Sequence, residues 1–106
     1  MMCGGTSAPV EPTEAVKTML EGLRDEAQQR AQRDGWNGVF TKFEVVKILT
    51  QVVAGTNYFV QIQTDDAGGC AHLRVFQPLP HTGAGPELVA VRPGLRDTDE
   101  LQYFEG

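Results

Sequence analysis

Cys70 and His72 stand two positions apart in a stretch that reads as extended chain, Cys70-Ala71-His72-Leu73. A thiol beside an imidazole is the raw material of a cysteine nucleophile, because the base can hold the thiol as thiolate. Nothing recognisable in the surrounding residues orients such a pair, so catalysis is not expected. The other cysteine, Cys3, and the other histidine, His81, do not complete a metal site either. Cys3 lies 67 positions before Cys70, and the short Cys-to-Cys spacing of structural zinc sites is absent. No metal or other cofactor is expected. The start, Met1-Met2-Cys3-Gly4-Gly5, has no basic region followed by an apolar stretch. The expectation is therefore a chain that stays in the reducing cytosol with both thiols free, Cys3 exposed and Cys70 partly buried.

The elements that would position these residues are legible from period and punctuation. Thr6 to Pro12 holds two prolines and small residues and reads as an extended arm. Thr13 or Pro12 can open a helix: Thr caps, and Glu14 brings negative charge to its first turn. Val16, Met19, Leu20, Leu23, Ala27 and Ala31 then recur at helical spacing, one apolar stripe on one helix that ends at Asp34-Gly35. Lys17, Glu21, Arg24, Asp25, Gln28 and Arg33 read as its solvated face. Gly22, mid-helix, weakens it by about 1 kcal/mol relative to Ala. It either lets a strand approach or is merely tolerated. Trp36, in the loop 35–38, reads as closing the end of a core.

After Gly38 the period changes. Val39 to Val53 is rich in β-branched and aromatic residues and reads as strand, its imperfect alternation implying a bulge near Glu44-Val45 or partial cover on both faces. Ala54-Gly55-Thr56-Asn57 is a turn, and Tyr58, Val60 and Ile62 alternate through a second strand. Asp65 to Gly69 is a polar turn. Leu73 and Val75 belong to a third strand, and Pro78 to Pro86, with its glycines and prolines, is an irregular loop. Leu88 to Val91 is a last strand stopped by Pro93-Gly94. The apolar end at Leu101-Gln102-Tyr103-Phe104 should dock against the body. Short connections make the sheet antiparallel, and the helix covers one face: an α+β domain.

Composition sets limits on partners. The chain has 106 residues, 41% hydrophobic and 22% charged, with net charge −5. That length fits one domain over residues 1–106 and buries about 65% of the unfolded surface. An acidic chain has no surplus of Lys and Arg for a non-specific grip on nucleic acid or an anionic membrane. No apolar run approaches the roughly 18 residues of a membrane span.

Three segments go further. Gln51-Val52-Val53-Ala54-Gly55, at a turn between two long strands, matches the Q-x-V-x-G signature of the cystatins. Thr56-Asn57-Tyr58-Phe59 extends the likeness to the intracellular type 1 cystatins, the stefins. Met1-Met2-Cys3-Gly4 resembles a stefin start, and Leu79-Pro80-His81 is similar to the stefin second loop. His72-Leu73-Arg74-Val75-Phe76 and Asp99 to Phe104 resemble stefins as well, so the likeness runs through essentially the whole chain. Gly5 after Gly4, Pro78 before Leu79, the glycine-rich stretch after His81, Trp36 and the final Glu105-Gly106 depart from the pattern.

The resemblance implies a cystatin-like fold, one N-terminal helix on a curved antiparallel sheet of four to five strands. It implies reversible, tight, competitive inhibition of papain-like cysteine proteases such as the cathepsins, with no enzyme activity of its own. Gly4 and Gly5 in the arm, Gln51, Val52, Val53, Ala54 and Gly55 in the first hairpin, and Leu79, Pro80 and His81 in the second would form one apolar wedge. It further implies a cytoplasmic monomer, with a nuclear pool also open, able to exchange its helix and first strand in a domain-swapped dimer. A cystatin-like module used only for binding or assembly is the competing class.

Overall fold

The computed structural model describes residues 12–79, 83–102 and 104. The helical region begins as expected: the Thr13 hydroxyl accepts the Val16 N–H at 3.3 Å, and α1 covers Glu14–Glu21. The expected single helix is interrupted. At Gly22 and Leu23 the chain tightens, Leu23 N–H donating to Leu20 carbonyl three residues back, and α2 then runs Arg24–Arg33. A Cβ on Gly22 would meet only the helix's own carbonyls, Met19 O at 3.4 Å and Thr18 O at 3.8 Å. Among the described residues no strand approaches there, so Gly22 is tolerated; its own backbone stays helical, φ −66 and ψ −16, and the break falls at Leu23, φ −102 and ψ 1. The apolar stripe survives it: Leu20, Leu23, Ala27 and Ala31 are all buried. At the far end Gly35 takes φ +107, and Gly35 and Trp36 N–H groups return to Gln32 and Ala31 carbonyls. That is the Schellman closure expected of a glycine after the last turn.

Val39 to Phe43, expected as strand, is instead a segment bound to α2. Gln28 Oε1 accepts the Phe40 N–H at 2.7 Å, Arg24 donates to Phe40 carbonyl at 2.7 Å, and Gln32 donates to Gly38 carbonyl at 2.8 Å. Backbone groups of Gly38 and Phe40 are satisfied by helix side chains, while the Lys42 N–H donates to the Thr64 carbonyl at 3.1 Å. Arg24 and Gln28 are thus anchors rather than members of a solvated face. Trp36, Phe40 and Phe43 stack in sequence, centroids 5.2 and 6.0 Å apart, closing that end of the core.

Four strands follow: β1 (Glu44–Val53), β2 (Gly55–Gln63), β3 (Gly69–Pro78) and β4 (Glu87–Arg96). They lie in the order β1-β2-β3-β4, every pair antiparallel. The β1 bulge falls between Val45 and Lys47, one residue beyond its expected place. β4 does not stop at Pro93-Gly94. Arg92 faces His72 and Leu95 faces Cys70, so a bulge absorbs the pair, with Gly94 at φ +73. An edge strand tolerates proline there.

The helix-side core gathers Leu20, Leu23, Ala27 and Phe40 against Ile48, Val60, Ile62, Ala71, Leu73, Val75 and Leu88. The other sheet face is covered too. Leu101 and Phe104 close over Leu49, Phe59 and Ala90, with the Phe104 and Phe59 rings edge to face at 5.8 Å. The C-terminal apolar end docks as expected, and cover on both faces explains the weak alternation in β1. The α+β architecture stands.

Candidate functional site

The first hairpin is tight. Gln51 pairs with Asn57, Val52 with Thr56 and Val53 with Gly55, leaving Ala54 at the tip. Gln51 Oε1 accepts from Asn57 Nδ2 at 3.2 Å, so this glutamine stitches the base of the hairpin. Val52 is 61% exposed and Ala54 is exposed. Neither is drawn into either core, although both are apolar.

Gly55 explains how the hairpin is held. Its φ is +130, and a Cβ there would lie 2.6 Å from the Gln77 carbonyl and 2.8 Å from the Phe76 ring. The β2–β3 register continues this contact, placing Gly55 opposite Pro78. The first hairpin therefore abuts the start of the second loop, and Leu79, 40% exposed, sits beside it. Helix α1 completes the end of the molecule. Ala15, Val16 and Met19 line a groove of about 440 Å³ together with Gly55, Tyr58 and Leu79. Helix α1 thus shares one groove with the first hairpin and with Leu79.

Among the expected site residues, the structure brings together Gln51, Val52, Ala54, Gly55 and Leu79. The Val53 backbone joins them through its pairing with Gly55. Gly4, Gly5, Pro80 and His81 lie outside the described residues, as does Cys3. Phe76, Gln77 and Asn57 were not singled out from the sequence, yet they back the first hairpin. The signal that could have marked Phe76 is register: antiparallel pairing across the 65–69 turn brings β3 alongside Gly55.

Electrostatically this edge is neutral. No Asp, Glu, Lys or Arg occurs from Gln51 to Gln63 or from Val75 to Pro86. Covering it therefore removes apolar and amide groups from water without stranding a charge.

The Cys70–His72 alternative does not survive. Both side chains are buried on the sheet face opposite the helices. Burial pushes the Cys70 thiol above its ordinary value, with Gln61, its 3.6 Å hydrogen-bond donor, opposing weakly. A nucleophile needs the reverse. No group of three or more His, Cys, Asp or Glu side chains among the described residues could hold a metal ion. No helix among them is long and apolar enough to cross a membrane.

Known proteins resemble the chain along most of its length. Residues 27–88 match the model of the cystatin domain. The chain is 35% identical to Cystatin-B of Mus musculus over 106 residues, covering 98% of this chain and 100% of the relative. It is 36% identical to Cystatin-B of Homo sapiens over 104 residues, covering 98% and 100%. Cystatin-B of Oplegnathus fasciatus is 35% identical, with 98% of each chain covered. With a domain match over more than half the chain and relatives alike from end to end, this protein belongs to the cystatin family, on its type 1, or stefin, branch.

Proposed function

We propose that the chain is a reversible, tight-binding competitive inhibitor of papain-like cysteine proteases, the cathepsins among them. The observation that carries this reading is the pair Val52 and Leu79. Val52 stands exposed near the end of β1, held by its pairing with Thr56, and Leu79 stands exposed one residue past β3, beside Gly55. An apolar edge without charge is suited to a cleft that must be desolvated on docking.

In this reading the edge enters the protease cleft as a wedge and covers the catalytic Cys–His pair without offering a peptide bond in attack geometry. Val52, Val53, Ala54, Leu79, Pro80 and His81 supply contact. Gln51 and Gly55 hold the hairpin in shape. The arm carrying Gly4 and Gly5 adds contacts once the hairpins have docked and acts on dissociation. The family membership supports the same assignment. The whole chain, residues 1–106, works as one domain, in the cytoplasm and with a nuclear pool open. It requires no cofactor, nucleic acid or membrane.

The test is a set of charge insertions read by papain kinetics. Burying Val52 or Leu79 is worth about 1.5–3 kcal/mol each. Val52→Asp and Leu79→Asp also bury a carboxylate, and each should weaken inhibition about 30-fold or more. Val39 is equally exposed, at 56%, but precedes β1 at the opposite end of the sheet. Val39→Asp should inhibit like wild type. Equal inhibition by all three variants would place the contact surface elsewhere.

A further inference from the structure

His72 sits in the middle of the sheet face opposite the helices. The strand registers set Lys47, Gln61, His72 and Arg92 in one row across all four strands. His72 is 5% exposed, and its Nε2 is buried with no hydrogen-bond partner among the described residues. Its own strand places Cys70 and Arg74 on the same face, β2 contributes the neutral Gln61, and β4 contributes Arg92. Beyond β4 lies Asp99, whose carboxylate accepts the Arg96 N–H at 2.8 Å.

The two arginines beside His72 carry the C-terminal cover. The Arg92 guanidinium lies 4.3 Å from the centroid of the Phe104 ring, and Arg74 Nη1 donates to the Phe104 carbonyl at 3.3 Å. Neutral imidazole fits this setting. A proton on it would add a donor where no acceptor waits among the described residues, and a positive charge beside Arg92, with Asp99 the opposing charge.

We propose that His72 is the proton-sensitive catch of the C-terminal cover: acid protonates it and releases Leu101 and Phe104 from the sheet, baring Leu49, Phe59 and Ala90. The helix-side core and the first hairpin stay in place, because their contacts lie on the other face or at the end of the sheet. The sign follows from linkage. Burial, with Arg92 acting the same way and Asp99 opposing, holds the imidazole below its ordinary 6.5. A base depressed in the docked state favours docking fully above pH 6.5, and that support is lost as pH falls below it. Asp and Glu side chains with ordinary values remain charged at pH 5.5, which separates the two kinds of group.

The experiment is fluorine NMR of the full chain with 4-fluorophenylalanine at position 104, at pH 7.5 and 5.5, in wild type and His72→Gln. In wild type the docked-to-undocked ratio should fall by about fivefold or more, and the undocked signal should rise. In His72→Gln the ratio should not change with pH. An unchanged wild-type ratio, or the same fall in His72→Gln, would overturn the proposal. Should His72→Gln fail to fold, the wild-type imidazole resonances decide. His72 must titrate below pH 6.5 and share its midpoint with Phe104 release; a midpoint at 6.5 or above, or two unrelated midpoints, rejects it.

Discussion

Replacing Gly55 by alanine should damage the molecule out of proportion to one methyl group. Two costs arise at the same atom. The backbone φ of +130 lies where only glycine rests comfortably, and forcing another residue there costs about 1–3 kcal/mol. The added Cβ would also stand 2.6 Å from the Gln77 carbonyl oxygen and 2.8 Å from Phe76 Cζ. The carbonyl belongs to the β3 backbone and cannot swing aside as a flexible side chain would, so overpacking adds about 1–3 kcal/mol. The sum, about 2–6 kcal/mol, corresponds to a fall in Tm of at least about 8 °C for a domain of this size. Gly85→Ala is the control, since nothing lies within 4 Å of a Cβ there and its φ is not positive. Urea denaturation and calorimetry of both variants measure the difference. The strain should also part the two loops, so folded Gly55→Ala should inhibit papain weakly. If Gly55→Ala unfolds within about 0.5 kcal/mol of wild type, the packing of the first hairpin on β3 is misread.

Other outcomes follow from the same structure. Phe104→Ala removes a buried ring that contacts Phe59 and Arg92. It should cost about 3 kcal/mol in chemical denaturation while leaving papain inhibition at pH 7.5 unchanged. The Asp65 carboxylate, half-buried at the β2–β3 turn, accepts N–H bonds from Gly69 and Ala67, which hold it below its usual 3.8. An acid depressed in the fold stabilises it above its ordinary value and loses that effect as pH falls through the folded one. The stability gap between wild type and Asp65→Ala should thus hold from pH 8 to 5 and narrow below pH 4. Mild heating at high concentration should yield a domain-swapped dimer in which the first hairpin straightens and β1 and β2 become continuous. Separated by size exclusion, that dimer should not inhibit papain; an equally active dimer would show that the hairpin remains bent.

Much of this was legible because strong local signals agreed with the final packing. Tyr58, Val60 and Ile62 alternate and face the helix. Leu20, Leu23, Ala27 and Ala31 keep one stripe even across the break at Leu23. Readings failed where tertiary contacts outvoted local preference. Val39 to Phe43 has strand composition, but Gln28 and Arg24 capture its backbone from a helix more than ten residues away in sequence. Pro93-Gly94 looks like a stop, yet a bulge at an edge strand absorbs it. In the candidate site, Val52 and Leu79 stood out as apolar residues in turns. Gln51 looked like a contact residue and is engaged with Asn57. The support from Phe76 and Gln77 depends on β2–β3 register, which no local pattern around Gly55 discloses.

The central claim is that the edge formed by the first hairpin and the second loop blocks a papain-like active site. Titrating a fixed concentration of active papain with the full chain, and following hydrolysis of a small substrate, tests it most directly. The account predicts activity falling to near zero at about one protein per enzyme, with recovery on dilution into excess substrate, as a reversible competitive blocker requires. Undiminished papain activity at micromolar excess of folded protein would contradict it.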